Sequence, residues 1–363
     1  MRVWYLGYYL DWYPRNRVIR KGLEQAGAEV INLRIAFSRA FRPARIFSKS
    51  IARLFQRKKP DVIIIPEVDL ESFPFAWMIA RSLGALLVYD AFYSRWDALV
   101  RDELETNESS TEARITWLLE KFALERANLI FSDTSAHCDY IAELYDISRE
   151  KFETVYIGAD DQMFYPMPEL EVKDHFLVHY NGFYHRLQGA PAIIESAHLL
   201  RDYPEIKFEM IGKRLSSSFQ AVQEKYQQLN PPNITFEDTL PIEEMPRRMA
   251  RASVCLGIFG KTGFGERVFP NKGFQALALA KPLITRESKG SKEVGEAGVH
   301  YLTVPAEDGK ALAEAILFLK NNPEKRKEIA RGGYQLYKER YAPEPIGKKL
   351  LSRLEQELKR KKK

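Results

Sequence analysis

The stretch CLGIFGKTGFGERVFPNKGFQALALAKPLIT (255–285) decides the fold. It opens with an apolar strand pattern at Cys255–Phe259 and returns to apolar residues at Pro282–Thr285. Between these strands, the spacing of apolar residues predicts a helix over Lys272–Leu279. A strand, a helix and a second strand in this order form a parallel unit with a right-handed crossover.

The same alternation of strands and helices runs through both halves of the chain. The first half predicts strands at Val3–Leu6, Val30–Leu33, Asp61–Ile65, Leu86–Asp90, Leu129–Ser132 and Val155–Ile157. The second half predicts them at Phe176–Tyr180, Phe208–Ile211, Ile234–Phe236, Cys255–Phe259, Pro282–Thr285 and Tyr301–Val304. The fold class is therefore α/β, with two Rossmann-like domains that have parallel sheets and face a cleft. We place the linker at Asp160–Asp174, where Pro, Asp and Met interrupt the periodicity.

Composition excludes several classes of protein. The 363 residues are 45% hydrophobic and 29% charged, which is typical of a folded protein and not of a disordered or fibrous chain. The two cysteines are isolated, so the sequence predicts neither a disulfide framework nor a cysteine zinc site, and it favours a reducing cytoplasm. No apolar run is long enough to cross a bilayer, and RVWYLGYY (2–9) predicts a strand and not a signal peptide.

The net charge of +6 is concentrated in one segment. Residues 34–59 contain many Arg and Lys, no acidic residue, and interleaved Ile, Leu and Phe. This pattern predicts a basic amphipathic helix that attracts an anionic membrane surface. The alternative is a helix whose apolar side packs on its own domain. We expect no nucleic acid partner, because no nucleic-acid-reading motif accompanies the charge.

A phosphate site is predicted before the helix of the opening stretch. Gly265 permits close approach of the backbone to a ligand, and Asn271 is expected to cap the helix. A helix N-terminus attracts anions, and Arg267 and Lys272 add full positive charge there. Gln275, about one turn later, is placed to reach a sugar hydroxyl. The alternative is an ordinary turn with a surface lysine.

Other candidates follow the remaining strands, because ligands of open α/β sheets bind beyond the carboxyl ends of the strands. The loop that contains Gly182 and Arg186 is placed either to cover a diphosphate or only to connect two elements. In the first half, Gly7 ends a strand, and Arg15 after it is placed either to meet an anionic acceptor or to solvate a helix end. Asp90 is placed either to bind sugar hydroxyls or a proton, or to cap a turn. His137 is either a catalytic residue or a packing or capping residue at a helix start. The acidic pair 160–161 is interpreted as a turn, and no essential metal is expected.

Several strings resemble the family 4 glycosyltransferases, which are retaining enzymes with the two-domain GT-B fold. PDVIIIP (60–66) resembles part of the family's first domain. The string EKFALERANLIFSDTSAHCDYIAELYDISREKFETVYIGADDQMFYP (120–166) resembles its next motif. FQALALAKPLIT (274–285) and EVGEAGVHYLTVPAEDGKALAEAI (293–316) resemble the family's second domain. The resemblance implies an acceptor domain at 1–165, a nucleotide-sugar donor domain at 170–342, and a last helix at 345–363 that packs back on the first domain.

The family's site residues transfer only in part. Gln275 stands where the family has a ribose-binding Glu, and Arg267, beside Glu266, stands where it has a Glu that contacts the donor sugar. The family's Arg and Lys on the diphosphate fall at Phe183 and Gln188, which are uncharged. Strand-end positions and the resemblance together predict binding roles for Gly182, Arg186, Gly265, Arg267, Asn271, Lys272 and Gln275, catalytic roles for Asp90, Glu266 and Arg267, and acceptor contacts for Gly7, Arg15 and His137.

The resemblance implies transfer of a sugar, with retention of configuration, from a nucleotide diphosphate sugar to a hydroxyl of a glycan or lipid-linked acceptor. The nucleotide sugar is a co-substrate, and no further cofactor is expected. The location implied is the cytoplasm or the inner face of a membrane. The unusual residues 183, 188 and 267 leave two alternatives open: a non-catalytic GT-B protein that binds or assembles partners, and a sugar-nucleotide epimerase.

Overall fold

The computed structural model describes residues 1–35, 42–55, 58–67, 69–102, 106–213 and 219–362. The strands are β1 (Arg2–Gly7), β2 (Glu29–Arg34), β3 (Val62–Ile65), β4 (Leu86–Phe92), β5 (Leu129–Ser132), β6 (Phe152–Thr154), β7 (Phe176–Asn181), β8 (Ile206–Ile211), β9 (Ile234–Glu237), β10 (Val254–Leu256), β11 (Leu283–Arg286) and β12 (Leu302–Val304). The helices are α1 (Pro14–Gln25), α2 (Arg42–Phe55), α3 (Phe73–Leu83), α4 (Arg95–Asp97), α5 (Thr111–Arg126), α6 (Ser135–Tyr145), α7 (Ala190–Leu199), α8 (Gln220–Leu229), α9 (Met245–Ala250), α10 (Gly263–Arg267), α11 (Asn271–Ala278), α12 (Lys289–Val294), α13 (Gly309–Asn321), α14 (Pro323–Leu336) and α15 (Pro343–Lys362).

The chain divides into two units, and each contains one six-stranded parallel sheet. Unit 1 comprises Met1–Ile157 and Ala342–Lys363, and unit 2 comprises Gly158–Tyr341. The strand order is β2-β1-β3-β4-β5-β6 in the first sheet and β12-β11-β10-β7-β8-β9 in the second. These two doubly wound sheets confirm the predicted α/β class with Rossmann-like domains.

The sheet of unit 1 is buried on both faces because helices cover each side. Its β3 strand is an unbroken apolar run that is fully buried, as is typical of a central parallel strand. One face packs against α3 and α5, and the other packs against α1 and α15. Helix α15 therefore belongs to unit 1, although a whole second sheet lies between it and the rest of that unit in the sequence.

Helices α1 and α15 cross at a pair of glycines. A Cβ atom added to Gly347 would overlap the carbonyl of Gly22, and one added to Gly22 would overlap the carbonyl of Pro343. Only residues without a side chain allow the two backbones to approach this closely. The crossing brings Ile346 and Leu350 onto the apolar core formed with β1 and α1.

The basic segment 34–59 is partly covered by its own unit. In α2, Ile46 is buried and Phe47 packs against the core of unit 1, as the alternative interpretation of this segment expects. Lys49 donates to the carbonyl of Arg34, and Ile51 is 49% exposed. Residues 36–41 and 56–57 of the segment lie outside the described residues. No described helix is both long enough and apolar enough to span a bilayer.

Two boundaries differ from the sequence-based expectations. The sixth strand of unit 1 is Phe152–Thr154 and not Val155–Ile157, because it pairs with β5 from Ile130 to Ser132 and β5 ends there. Helix α11 begins at Asn271, and Pro270 is its N-cap residue. The prediction that Asn271 caps this helix is therefore wrong: a proline with fixed φ precedes the first turn, and Asn271 is already helical.

Candidate functional site

A buried lysine is the central feature of unit 2. Lys272, the second residue of α11, is only 6% exposed. Its Nζ lies 2.6 Å from Gln188 Oε1 and 3.9 Å from the centre of the Tyr180 ring. No described carboxylate pairs with it, and burial alone holds the pKa of its ammonium well below the usual value. When it is protonated, the lysine therefore carries a charge that its own protein surroundings do not balance.

Gln188 reaches this lysine because two loops are bonded backbone to backbone. Phe259 N donates to Gln188 O over 2.9 Å, and Gly260 N donates to Leu187 O over 3.0 Å. A Cβ atom added to Gly260 would overlap the carbonyl of Arg186. The glycine at 260 thus allows the loop after β10 to lie against the loop after β7, and the contact sets Gln188 beside the N-terminus of α11.

Gly182 forms the edge of the same site. Its φ of +147° is a conformation that residues with side chains rarely adopt. A Cβ atom added there would lie 2.7 Å from Lys272 Nζ and 3.4 Å from the Tyr180 hydroxyl. The Tyr180 hydroxyl donates to Phe183 O over 2.7 Å, which holds the loop after β7 in place. The missing side chain at 182 therefore leaves space next to the ammonium group.

The glycine-rich stretch 260–267 contains a short helix, α10, where the sequence predicted a loop. Gly265 N donates to Thr262 Oγ1 over 2.9 Å, and this N-cap bond starts the helix. Glu266 lies 2.5 Å from Arg286 Nη2, and it accepts a hydrogen bond of 3.1 Å from Lys289 N. Its carboxylate thus joins α10 to the end of β11 and to the start of α12. Arg267 is half-buried in the same helix.

Gln275 and Arg186 occupy two different environments. Gln275 lies one turn after Asn271 in α11 and is 4% exposed. Arg186 lies in a short helical turn after β7 and is exposed to solvent. The structure therefore brings together Gly182, Gln188 and Lys272 directly, whereas Arg186 carries its charge at the surface of the same loop.

In unit 1, two predicted site residues bind each other. Arg15 and Asp90 are both fully buried, and the Arg15 side chain makes two-pronged contacts of 2.6–3.0 Å with the Asp90 carboxylate. Arg15 also donates to Val155 O over 2.6 Å. Burial acts to lower the pKa of the Arg15 guanidinium, and the charge of Asp90 outweighs this effect. The pair joins α1 to the carboxyl end of β4.

The remaining candidates of unit 1 lie at neighbouring strand ends. His137, in the first turn of α6, lies 2.6 Å from Asp133 Oδ1 through its Nδ1, and both residues are buried. Gly7 has a φ of +147°, and a Cβ atom there would overlap the Asp69 carboxylate, which accepts from Tyr8 N over 2.6 Å. These contacts fix the loops beyond β1 and β5. The part of the chain that the structure describes holds no group of three or more His, Cys, Asp or Glu side chains suited to a metal ion.

Comparison with known protein families agrees with this geometry. A family model described as "Glycosyl transferase 4-like domain" matches residues 3–158, and one described as "Glycosyl transferase-like" matches residues 192–352. The chain belongs to the GT4-like glycosyltransferases of the GT-B fold. A comparison with curated protein sequences finds no match.

Solved structures with the same fold cover almost the whole of this glycosyltransferase. Sucrose-phosphate synthase from Thermosynechococcus elongatus matches with a TM-score of 0.73 at 15% identity, over 98% of each chain. HepE from Anabaena, in complex with UDP-glucose, matches with a TM-score of 0.70 at 15% identity, over 98% of this chain and 100% of that one. A glycosyltransferase from Rickettsia africae gives 0.69 at 12% identity, over 99% and 98%. At these identities the likeness shows the fold.

The sequence did not indicate two residues and one contact around the sites of this glycosyltransferase. Arg286 ends β11 and binds both Glu266 and the carbonyl of Gly260, and its position directly after an apolar strand was an available signal. The contact between Lys272 and Gln188 joins residues 84 positions apart, and no local pattern indicates it. Glu67, in unit 1, lies two residues beyond the end of β3, and Asp90 lies two residues before the end of β4.

Proposed function

We propose that this glycosyltransferase moves a sugar from a nucleoside diphosphate sugar to a hydroxyl of a glycan or lipid-linked acceptor, with retention of configuration. The observation that carries the proposal is the buried Lys272, whose charge no described carboxylate balances. A buried charge without a partner is costly, so such a group either loses its proton or binds an ion of opposite charge. A diphosphate supplies that charge.

The surroundings of Lys272 favour a phosphate over other anions. Gly182 leaves space beside the ammonium group, and the N-terminus of α11 presents backbone N–H groups at the same place. Gln275, one turn later, has an amide that both donates and accepts hydrogen bonds, as a ribose hydroxyl requires. The solved structures of HepE contain UDP or UDP-glucose, which makes a UDP-sugar the first donor to test.

The chemistry that we propose needs stabilisation of a leaving group. The bond between the anomeric carbon and the phosphate oxygen breaks, and negative charge grows on the departing nucleoside diphosphate. The acceptor oxygen bonds to the same face of the anomeric carbon, and its proton passes to the departing phosphate oxygen. Lys272 and the N-terminus of α11 stabilise the charge that develops, an electrostatic effect that is often the largest in an active site.

The contacts of Glu266, Asp90 and Arg15 support positioning roles in this reaction. Glu266 is bound to Arg286 and thereby orients the loop at 260–267. Asp90 and Arg15 bind each other and fix the carboxyl end of β4. For Gly7 and His137 we propose an indirect role: they shape the loops beyond β1 and β5, and these loops contact the acceptor. We expect no metal requirement, so donor binding should be equal with and without EDTA.

The test is donor binding measured by thermal shift with UDP-glucose, GDP-mannose and ADP-glucose. At a hundredfold excess over Kd, a ligand that binds only the folded state stabilises it by about 2.7 kcal/mol. We expect one of the donors to raise the melting temperature of the wild type. The control variant Lys261→Met, which removes an exposed lysine between β10 and α10, should show the same rise. The shift should be lost in Lys272→Met, and an equal shift in that variant contradicts the phosphate assignment.

Turnover separates the enzyme from the non-catalytic alternative. The donor that binds best is incubated with a glycan and lipid extract, and release of nucleoside diphosphate is measured together with the anomeric configuration of the product. Binding without any transfer would favour a GT-B protein that has lost catalysis. An inverted product would overturn retention without affecting the donor site.

We also propose that the basic segment 34–59 holds the protein at an anionic membrane surface, where lipid-linked acceptors are presented. Exposed Lys49 and Ile51 on α2 support this surface, since a basic side chain and an apolar side chain together favour an anionic interface. Sedimentation with anionic and neutral vesicles tests it. Equal recovery of the protein in both supernatants contradicts the proposal.

A further inference from the structure

An exposed tryptophan lies at the carboxyl edge of the sheet in unit 1. Trp12 belongs to the loop between β1 and α1 and is 50% exposed to solvent. Among the side chains described in unit 1, it is the one aromatic side chain that is exposed. The other exposed large apolar side chains described there lie on the helices α2, α3 and α5: Ile51, Met78, Ile115 and Leu118. Ligands of open α/β sheets bind beyond the carboxyl ends of the strands, so Trp12 is placed where a ligand of unit 1 is expected.

The turn that carries Trp12 is tied to its surroundings. Tyr13 N donates to Leu10 O over 3.1 Å, so these two residues close a turn with Trp12 near its tip. Such positions favour Gly, Asn, Asp and Ser, so the turn itself does not require an indole. Asp11, the residue before Trp12, contacts Arg20 of α1 over 3.0 Å and a second arginine, on β2, over 2.7 Å. A ring that is already held in place loses little freedom when it binds a ligand.

Behind Trp12, aromatic rings lead to a strained residue. The Trp12 ring meets the Tyr13 ring edge to face, and the Tyr13 ring meets the Phe92 ring in the same way, with 6.2 Å between the centroids in both pairs. Phe92 ends β4 with a φ of +58°, which is rare for a bulky residue. Tyr93 N donates to Ala91 O over 2.6 Å, and this γ-turn around a residue of positive φ is the strained form. Strain of this kind is concentrated at binding and catalytic sites.

The neighbouring strand holds Phe92 in this conformation. The register between β4 and β5 shifts between Asp90 and Phe92, which is a β-bulge. Ser132 Oγ and Asp133 N donate to Phe92 O over 2.7 and 3.3 Å. The Phe92 ring also lies 4.8 Å from the Arg15 guanidinium. Bulges next to sites redirect a side chain, and here the bulge places the ring that supports Tyr13 and, through it, the exposed indole.

The charges around this indole distinguish between the ligands that an aromatic face binds. The charge of Asp11 is shared by Arg20 and Arg34, so positive charge is in excess there and disfavours a cation. Arg15 and Asp90 neutralise each other and do not change this balance. A membrane or a protein partner requires a wider apolar surface than one ring. A sugar ring matches the indole in size, and its C–H groups are attracted to the negative face of the aromatic ring.

We propose that Trp12 is a further substrate-contacting residue whose indole face stacks on the C–H face of a sugar ring of the acceptor. This inference rests on the proposed transferase function and adds a residue of unit 1 to it. The stacked sugar lies beyond the end of β1, on the exposed side of the turn. Its hydroxyl groups project from the rim of the ring, so the stacking leaves them available for glycosyl transfer.

The test compares Trp12→Ala and Trp12→Phe with wild type and with Met78→Ala, which removes an equally exposed apolar side chain from α3. Acceptors are the methyl glycosides of glucose, galactose, mannose and N-acetylglucosamine, which have no apolar tail, and the donor is the nucleotide sugar that raises the melting temperature most. We expect Trp12→Ala to raise the acceptor KM about tenfold, as loss of one stacking contact predicts, with an unchanged donor KM. Trp12→Phe keeps a ring and should retain most of the affinity. An unchanged acceptor KM in Trp12→Ala, or an equal rise in Met78→Ala, overturns the proposal.

Three further measurements cover the remaining outcomes. If Trp12→Ala does not fold, Trp12→Leu replaces it, because leucine is apolar but has no ring, and an unchanged acceptor KM again overturns the proposal. Sedimentation with neutral vesicles tests a membrane contact: weaker vesicle binding of Trp12→Ala together with an unchanged acceptor KM shows that contact and contradicts the sugar site. If no donor is consumed at all, the transferase function fails, and binding of the same methyl glycosides is measured directly by saturation-transfer NMR. Binding that is lost in Trp12→Ala but kept in Met78→Ala supports the site, whereas equal binding, or none to wild type, overturns it.

Discussion

Replacement of Lys272 by methionine tests the donor site most directly. Methionine fills similar space but removes the ammonium group, which lies 2.6 Å from Gln188 Oε1. A phosphate oxygen at such a distance places the phosphorus about 4 Å from Nζ, where two unit charges interact by about 4 kcal/mol at an effective dielectric constant near 20. We therefore expect the Kd of the donor to rise by roughly 30- to 1,000-fold, since each 1.4 kcal/mol corresponds to a factor of ten.

Although Lys272→Met should weaken donor binding, it should stabilise the folded protein in the absence of ligand. The folded state holds Lys272 buried, with its pKa well below the usual value, whereas the unfolded state exposes it. Between the lowered pKa and the usual value near 10.5, the unfolded state binds more protons, so the contribution of Lys272 to wild-type stability rises with pH in this window. Lys272→Met should lose that slope and should have a higher melting temperature at neutral pH. If Lys272 had a purely structural role, Lys272→Met would instead have a lower melting temperature than the wild type.

A lysine introduced at position 188 should restore part of the donor affinity that Lys272→Met loses. Gln188→Lys in the Lys272→Met background moves an ammonium group to the neighbouring position across a 2.6 Å contact, and we expect it to restore at least a tenth of the lost affinity. Isothermal titration calorimetry in buffers of different ionisation enthalpy measures both affinity and proton uptake. Wild type should take up protons on binding the donor, because the diphosphate raises the pKa of Lys272 again. Unchanged donor affinity in Lys272→Met, with Lys261→Met as the control, refutes the reasoning.

Three further perturbations have defined outcomes. Gly182→Ala should weaken donor binding about tenfold in calorimetry, because its Cβ would lie 2.7 Å from Lys272 Nζ in a backbone conformation that favours glycine; equal affinity contradicts this. Asp90→Asn should destabilise the fold by about 3–5 kcal/mol in urea denaturation, because it leaves the buried Arg15 guanidinium without a counter-charge, and a loss below about 1 kcal/mol argues against it. Glu67 binds a proton more tightly in the folded state, with a pKa of about 8, so its own contribution to stability should fall as the pH rises from about 5 to 8. The difference in stability between wild type and Glu67→Gln should therefore change across this range, and parallel curves disprove the assignment.

The sequence predicts the sheets of this protein well, since parallel strands that are buried on both faces form continuous apolar runs. Val62–Ile65 is such a run, and the structure places it at the centre of unit 1. Boundaries are predicted less well where pairing decides them. Strand β6 begins at Phe152 because its partner is Ile130, and that register is a property of two strands and not of either string alone.

Site geometry is harder to predict because it depends on contacts between distant residues. Asp90 and Arg15 are each plausible ligand contacts when considered separately, but 75 positions of intervening chain fold so that they neutralise each other. Lys272 shows the reverse case. The sequence suggests a lysine at a helix start, but only the structure shows that it is buried without a carboxylate partner among the described residues.

The return of α15 to unit 1 has a consequence for synthesis of the protein. Unit 1 requires residues on both sides of Gly158–Tyr341, and Ile346, Leu350 and Leu354 complete one of its cores. On a ribosome that adds about 5–20 residues per second, roughly 10 to 40 s separate the two parts of this unit. Throughout that interval Val18 and Leu23 lack part of their apolar cover. The later unit is therefore able to acquire its native packing before the earlier one, while the apolar face of α1 still lacks the cover that α15 provides.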